Sequence, residues 1–271
     1  MNEVRSFQLE DRGVLELSGS EARSFLQGLI TQNIDTLTPD GPLYSALLTP
    51  QGKFLFDFFV WDGGDVIYLD VAKDQLMNFA RRLLFYKLRA DVNVGDASKT
   101  FHVWASTGTP DGFAADPRLA ALGGRALVRA DEPIDVENAG GSAAWRRHRL
   151  GLSVVSGAEL TPEKSFPIEA NFDFLGAIDF QKGCFVGQEV ASRTKRRGTV
   201  RKRIVRLVGL PETPIEKDTA VVANERTVGH IVAHEGTSGM ALMKLDALGS
   251  ELTVDGHKVS ADPAAWLTAA L

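Results

Sequence analysis

The spacing of apolar residues predicts two amphipathic helices in the first third of the chain. After the strand-like run GVLEL, apolar positions recur every three or four residues, which predicts a helix with Ser18 and Glu21 as its capping box. The same spacing predicts a second helix from Asp74 to Leu88. The residues expected on the buried sides are Ala22, Phe25, Leu26, Leu29 and Ile30 in the first helix, and Leu76, Phe79, Ala80, Leu83 and Leu84 in the second.

Strand-like runs lie between and after these helices. The segment from Leu43 to Val71 contains three apolar runs separated by TPQG and DGGD, whose Pro, Gly and Asp residues favour turns. DVNV and TFHVWA predict two more strands. Residues 107–141 are rich in Gly, Pro, Ala and Asp and are expected to form a connection, and SAAWRRHRL predicts a helix after it. Beyond Gly198, short β-rich runs joined by turns predict an antiparallel barrel or sandwich of about 70 residues.

Composition narrows the class of protein. The 271 residues are 44% hydrophobic and 24% charged, as in ordinary globular proteins. No apolar run approaches the ~18–20 residues of a membrane span, and the N-terminal residues show no apolar signal core. The single cysteine, Cys184, excludes a disulfide framework and sites held by four cysteines. We therefore expect a soluble, cytoplasmic protein with no membrane partner.

The distribution of charge suggests an anionic partner. The net charge of −5 argues against general nucleic-acid binding. However, the run RTKRRGTVRKR, from Arg193 to Arg203, carries seven cations and no anion. It is either a solvated face or a contact for a specific anionic partner such as tRNA, although it lacks aromatic residues for base stacking.

Common catalytic and metal-binding motifs are absent from the sequence. There is no phosphate-binding P-loop, GxGxxG, HExxH or CxxC motif. His230 and His234 lie in a strand-like run, where their spacing separates them by about 13 Å. We therefore expect no metal site.

Asp57 is a carboxylate within the apolar run KFLFDFFVW. Strand alternation places it on one face with Leu55, Phe59 and Trp61. A carboxylate at such a position needs a hydrogen bond or a counter-charge if it is buried. It is either a structural residue at a sheet edge or a ligand for a polar nitrogen of a small molecule.

The stretch KGCFVGQE, from Lys182 to Glu189, surrounds the cysteine with two glycines. The following residues favour a helix start, whose free backbone amides attract anions and lower the pKa of a nearby thiol. Cys184 is therefore either a partly activated thiol or a small buried hydrophobic residue.

This stretch resembles the K-G-C-aromatic-x-G-Q-E signature of the YgfZ family, folate-binding proteins related to the glycine-cleavage T-protein, an aminomethyltransferase. FLQGLITQNIDTL and SALLTPQGKFLFDFFVW resemble the N-terminal blocks of that family. FPIEANFDFLGAIDFQKGCFVGQEVASRTKRRGTVRKR resembles its central block. The resemblance covers most of the chain and is weakest over residues 107–141.

The resemblance implies an α+β fold of the GcvT/YgfZ type. Three domains would form a ring around a folate pocket, and the last would be an antiparallel β-barrel. The expected domains are a folate-binding core from residues 1–50 and 142–200, a ferredoxin-like domain over 51–141, and the barrel over 201–271.

The resemblance also implies which residues form the folate site. Asp57 takes the place of an aspartate that contacts folate in T-proteins, and Asp57 and Cys184 are the catalytic candidates, expected to line one central cavity. Arg149 stands where T-proteins have the glutamate that binds the pteridine ring. The residues expected to bind tetrahydrofolate, or a derivative of it, are Asp57, Glu169, Asn171, Lys182, Gln188, Glu189 and Arg193.

The function implied is a tetrahydrofolate-binding accessory factor for the assembly or repair of iron–sulfur proteins, including those that modify tRNA. Its partners would be client or assembly proteins, with a weak tRNA contact through Arg193 to Arg203. Cys184 would ligate a cluster transiently, because one thiol cannot hold a cluster alone. The alternative is a folate-dependent aminomethyltransferase or demethylase, against which Arg149 argues.

Overall fold

The computed structural model describes residues 3–132, 134–196 and 200–268. Its helices are α1 (Ala22–Leu29), α2 (Leu76–Lys87), α3 (Gly141–Gly151), α4 (Gln188–Arg196) and α5 (Ala265–Thr268). Its strands are β1 (Ser6–Gln8), β2 (Arg12–Ser18), β3 (Leu43–Leu48), β4 (Phe54–Asp62), β5 (Ile67–Ala72), β6 (Asn93–Asp96), β7 (Phe101–Ser106), β8 (Ala114–Ala115), β9 (Gly124–Arg129), β10 (Lys202–Val208), β11 (Ala220–Ala223), β12 (Arg226–Glu235), β13 (Ser238–Lys244), β14 (Leu252–Val254) and β15 (His257–Ala261). Within these ranges, no helix has the length and apolar character needed to cross a bilayer.

A five-stranded sheet in the order β3-β4-β5-β2-β6 carries Asp57. α1 and α2 cover one face of this sheet, and the other face packs against α3 and the segment that follows it. Because both faces are covered, β4 is buried from Phe54 to Val60. This double burial explains the nearly continuous apolar sequence of the strand.

A register shift at the start of β4 changes one of the predicted faces. The pairing of β4 with β3 shifts between Leu47 and Leu48, and Leu55 joins the core beneath the helices. Phe59 and Trp61 lie on the opposite side, with the core that contains α3. Asp57 therefore shares its face with Phe59 and Trp61 as predicted, but not with Leu55.

The first two helices form where the apolar spacing predicts them, with two corrections. Ser18 ends β2, and the carboxylate of Glu21 accepts a hydrogen bond from the backbone of Asp91 at 2.6 Å, so no capping box forms. Leu84 is 50% exposed, because α2 buries a narrower stripe than its sequence suggests. The buried residues of α2 are Leu76, Phe79 and Leu83.

The segment from 107 to 141 contains two strands, β8 and β9, that its composition does not predict. β9 lies between β7 and β8 in a four-stranded sheet of order β1-β7-β9-β8. Its second residue, Arg125, is 2% exposed and forms an ion pair with Asp70 of β5 at 2.6 Å. A buried cation interrupts the apolar pattern, and its burial depends on a partner from the other sheet.

The C-terminal strands close into a six-stranded antiparallel barrel of order β10-β13-β12-β11-β14-β15, which confirms the predicted fold class. Val205, Ile231 and Met243 are among the apolar residues that fill it. His230 and His234 both lie on β12, and His234 accepts a hydrogen bond from the backbone of Ile215 at 3.3 Å.

The expected domain boundary at residue 50 falls within the five-stranded sheet. β3 pairs with β4 and β2 pairs with β5, so the five-stranded sheet takes strands from both sides of that residue. The barrel begins with β10 at Lys202, next to the expected boundary at residue 201.

Candidate functional site

Asp57 is a buried carboxylate with one hydrogen bond inside the described residues. It is 4% exposed, and the hydroxyl of Tyr44 donates a hydrogen bond of 2.8 Å to its Oδ2 atom. Burial, together with the charge of Asp57, raises the pKa of Tyr44 well above its usual value, so the phenol keeps the proton that it donates. The Oδ1 atom has no donor within those residues and lies beside a cleft.

This cleft, which we call the Asp57 cleft, has a volume of about 200 Å³. It lies between the start of β4, the end of β5 and the loop 157–162. Gly157 lets that loop come close to Asp57, because a Cβ atom there would overlap Oδ1 of Asp57 and lie 2.8 Å from the ring of Phe54. The walls combine apolar side chains, such as Leu160, with the polar side chains of Asp74 and Gln75.

A buried ion pair fixes the loop that forms one wall of the cleft. Arg149, at the end of α3, donates to both carboxylate oxygens of Glu159, at 2.9 and 3.0 Å, and to the carbonyl of Val154 at 2.7 Å. Burial by itself would raise the pKa of Glu159, but the charge of Arg149 and its hydrogen bonds lower it to about 2. Arg149 therefore has an internal partner and supports the loop that packs on Asp57.

Three arginines converge on Phe59, which shares the face of Asp57. Their guanidinium carbons lie 3.7, 4.9 and 5.9 Å from the centre of the Phe59 ring, within the range of cation–π contacts. In order of distance these residues are Arg125, Arg118 and Arg12. Arg12 and Arg118 also interact electrostatically with Asp57, so their positive charge helps to compensate the buried carboxylate.

This arginine cluster is not predicted by the sequence. Asp70 pairs with both Arg12 and Arg125 at 2.6 Å, and Asp116 pairs with Arg118 at the same distance. The only signal in the sequence is a charged residue within an apolar strand, such as Asp70 in IYLDVA. That signal marks burial, but it does not say which distant charge is the partner.

Lys182 anchors the loop before α4 to the end of α1. It is 6% exposed, and its ammonium group donates three hydrogen bonds of 2.8 Å to the carbonyls of Gln27, Ile30 and Gln32. A cation at the C-terminal end of a helix also interacts favourably with the helix dipole. All three donors of Lys182 are thus used within the protein.

Cys184 is held at the surface by two buried residues of the same loop, Lys182 and Phe185. Phe185, which follows Cys184 in the chain, is 6% exposed, and the centre of its ring lies 5.5 Å from the ammonium of Lys182. Cys184 itself is exposed, and so is Gly183. The lysine and the phenylalanine therefore fix the loop, while the thiol faces outward. The interpretation of Cys184 as a buried hydrophobic residue is wrong.

Two glycines allow this loop to pack against the turn before β4. Gly187 has φ of +83°, and a Cβ atom there would lie 2.6 Å from the carbonyl oxygen of Thr49. Gly52, in the turn TPQG, has φ of +72° and would place a Cβ atom 2.9 Å from Val190. Only glycine fits these two positions, and α4 begins directly after Gly187, as predicted.

Glu169 lies in a different cleft from Asp57. That cleft, of about 330 Å³, is also lined by Gly52, Phe166 and Lys202. Burial raises the pKa of Glu169 above its usual value, although the positive charges of Lys202 and Lys53 lower it in part.

Asn171 joins the central segment to the barrel. It has φ of +65° and is 1% exposed. Its amide donates to the carbonyl of Ile204 at 2.8 Å and accepts from Arg203 at 3.1 Å. Both ends of its side chain are therefore occupied by β10.

The other predicted site residues lie on α4. Gln188 is its first residue and half-buried, whereas Glu189 and Arg193 are exposed. Cys184 does not line the Asp57 cleft, and it does not line the cleft of about 330 Å³ that contains Glu169. The prediction of one shared cavity is therefore not confirmed, and we treat the Asp57 cleft and the Cys184 loop as two places.

The basic run does not form one exposed patch. Arg203 is 4% exposed and forms two hydrogen bonds with Asp173, at 2.9 and 3.0 Å, and Lys195 contacts the same carboxylate at 3.1 Å. The part from Arg197 to Thr199 lies outside the described residues. The tRNA contact stays a prediction. Within residues 3–132, 134–196 and 200–268, no three His, Cys, Asp or Glu side chains are grouped as metal ligands.

Comparison with known proteins decides the family. The model of the CAF17 C-terminal β-barrel domain matches residues 201–269. The mitochondrial iron–sulfur cluster assembly factor IBA57 homolog of Mycosarcoma maydis is 34% identical over 221 residues, which are 72% of this chain and 55% of that protein. Its counterpart in Pyricularia oryzae is 31% identical over 294 residues, which cover 93% of this chain and 75% of the relative.

The chain belongs to the IBA57 family. It spans 55% of the first of these relatives and 75% of the second. The glycine cleavage system aminomethyltransferase T of Bartonella henselae has the same fold, with a TM-score of 0.75 over 97% of this chain and 86% of that one, at 15% identity. The resemblance to the T-protein is thus confirmed for the fold. These relatives carry the IBA57 name and not that of YgfZ.

The expectation of a cytoplasmic protein is wrong. Both IBA57 relatives are named as mitochondrial proteins. That expectation depends on the single cysteine and on the lack of a secretory signal. Neither feature distinguishes one reducing compartment from another.

Proposed function

We propose that this protein is an assembly factor for iron–sulfur proteins, which offers Cys184 to a cluster shared with a partner. The observation that carries the proposal is the exposed thiol, held by a buried lysine and a buried phenylalanine, in a chain of the IBA57 family. Thiolates are the usual ligands of iron–sulfur clusters, which commonly have four such ligands. One exposed thiol therefore suits a cluster in transit between proteins, with the remaining ligands from a client or a small thiol.

Depletion of the protein tests this role in cells. We expect the activity of [4Fe–4S] enzymes to fall and that of cluster-free enzymes in the same extract to stay unchanged. Re-expression of the wild-type chain should restore the activity. Equal activity of the cluster enzymes with and without the protein would refute the assembly role.

We further propose that the Asp57 cleft binds the ring of tetrahydrofolate or of a derivative. Asp57 supplies an acceptor oxygen for ring N–H groups, and Phe54 and Leu160 supply apolar walls. The volume of about 200 Å³ is below the ~300–1,000 Å³ common for whole ligands, so the cleft suits the ring alone. When bound, tetrahydrofolate would supply nitrogen atoms that carry one-carbon groups.

Calorimetry with tetrahydrofolate and its formyl and methyl derivatives tests the folate proposal. Asp57→Asn keeps the shape of the side chain but removes the charge, and a hydrogen bond to a charged group contributes roughly 1.5–3 kcal/mol. We therefore expect at least about tenfold weaker binding by this variant. Glu169→Gln, in the other cleft, should bind within about twofold of the wild type.

The control also separates the two clefts. Weaker binding by Glu169→Gln together with unchanged binding by Asp57→Asn would place the ligand beside Glu169 and contradict the proposal. A wild-type protein that binds none of the three folates would also contradict it.

The aminomethyltransferase alternative has the fold in its favour, but no feature of the site. The carboxylate of Glu159 accepts hydrogen bonds from Arg149 and from the backbone of Ser156. The Glu159 carboxylate is thus not free to bind a pteridine in place of the glutamate that T-proteins use. We therefore propose the assembly role and folate binding, but no transfer of an aminomethyl group.

A further inference from the structure

The outer face of α2 carries most of the exposed large hydrophobic side chains in the described residues. Five such residues are exposed, and four of them lie on α2 or at its end. The four, with their exposed fractions, are Met77 (57%), Leu84 (50%), Phe85 (71%) and Leu88 (88%). The fifth, Val4, is 55% exposed and lies in the N-terminal segment.

These four side chains form a stripe that the fold does not use. At 3.6 residues per turn, Met77 and Leu84 lie within about 20° of each other around the helix. The buried residues Leu76, Phe79 and Leu83 lie on another side, against the five-stranded sheet. From Met77 to Leu88 the stripe is about 16 Å long.

Leu88 adopts a conformation that folding alone does not favour. It follows α2 with φ of +48°, in the left-handed region that favours glycine, and it is the most exposed of the five. A leucine at this position gains little from burial and is strained. Its side chain is thus available to a second surface.

The stripe is bordered by positive charge. Residues 76–90 contain four cations and no anion, although the net charge of the chain is −5. Arg81 and Arg89 are exposed, Lys87 is half-buried, and Arg82 lies 3.9 Å from Glu163. Arg81 falls inside the stripe, one turn after Met77.

We infer that the α2 stripe docks on the surface of an anionic phospholipid bilayer. Exposed Phe, Leu and Met side chains flanked by Arg and Lys are the pattern of helices that lie in a membrane interface. Arg81 lies inside the stripe and is exposed, and its long side chain can reach headgroup phosphates while its methylene groups stay among the acyl chains.

A second copy of the chain is a poorer occupant. A symmetric contact through α2 would bring two sets of the same four cations together, which is unfavourable. The absence of a segment that could span a bilayer predicts no membrane partner, but a surface contact needs no such segment.

Vesicle flotation with the whole protein tests this inference. Vesicles of phosphatidylcholine with about one third phosphatidylglycerol should carry the protein upward at low salt, and vesicles of phosphatidylcholine alone should carry at least about tenfold less. Phe85→Ser combined with Leu88→Ser should reduce the binding to the anionic vesicles at least about tenfold. Val4→Ser, which removes the exposed apolar residue outside α2, should bind as the wild type does.

Leu88→Gly separates binding from folding. Glycine accepts the positive φ without strain, so this variant should unfold at or above the wild-type temperature and yet bind the vesicles more weakly. The inference is overturned if the wild type does not float with the anionic vesicles, or if the double variant floats equally well.

Discussion

Replacement of Arg149 by methionine is expected to lower the free energy of unfolding by about 3–5 kcal/mol at neutral pH, because it leaves Glu159 buried without its main partner. Arg149 is 5% exposed and Glu159 is 3% exposed, so water cannot take over the lost hydrogen bonds. Arg146 remains, but it is only half-buried and contacts Glu159 at 3.3 Å. The loop 156–160 should therefore loosen and the Asp57 cleft should lose one wall.

The loss should depend on pH in a defined direction. The pKa of Glu159 is about 2 in the folded protein and near 4.5 when the side chain is free, so the folded pKa is depressed. Its contribution to stability is fully present above about pH 4.5 and is lost as the pH falls through 2. In Arg149→Met the carboxylate has lost this partner, and acid relieves the cost of its charge. The difference between wild type and variant should therefore shrink from pH 7 to pH 4.

Urea unfolding at pH 7 and pH 4 measures both effects. The control is the double variant Arg149→Met with Glu159→Gln, which removes the unpaired charge and should be more stable than Arg149→Met alone at pH 7. If the single variant loses less than about 1 kcal/mol, the ion pair does not support the loop as we describe.

Local patterns predicted much of the fold. α1, α2 and the strands from β3 to β5 follow from apolar spacing and turn residues within short windows. The barrel followed from its alternating runs. The sequence does not predict β9, because Arg125 interrupts the apolar pattern of this strand. The burial of Arg125 depends on Asp70, which is 55 residues earlier in the chain. Leu84 was placed wrongly because apolar spacing cannot distinguish a buried side chain from one that faces outward.

The site could be predicted only in part for the same reason. The sequence singled out Asp57 and the stretch around Cys184 by residue type. It could not show that Lys182 binds the end of α1, which lies about 150 residues earlier in the chain. Nor could it show that Glu159 neutralises Arg149, or that Gly157 makes room for Asp57. Each of these contacts depends on tertiary structure, which a single sequence does not specify locally.

Cys184→Ser is expected to lower the activity of [4Fe–4S] enzymes at least about tenfold in cells that depend on this protein, because a serine hydroxyl replaces thiolate poorly as an iron ligand. Folding should not change. Cys184 is exposed and its neighbours Lys182 and Phe185 supply the anchoring contacts, so the variant should unfold at the same urea concentration as the wild type.

Gly183→Ala is the matched control for this variant. Gly183 is the exposed neighbour of Cys184, and a Cβ atom there meets nothing within 4 Å. The alanine variant therefore changes the same loop by a similar volume and keeps the thiol. It should restore enzyme activity as well as the wild type does.

The most direct test of the account is the activity of a [4Fe–4S] enzyme in depleted cells that express wild type, Cys184→Ser or Gly183→Ala at equal levels. The account predicts full activity with the wild type and with Gly183→Ala, and at least about tenfold lower activity with Cys184→Ser. Full activity with Cys184→Ser would contradict it, because the exposed thiol would then have no part in the assembly of clusters.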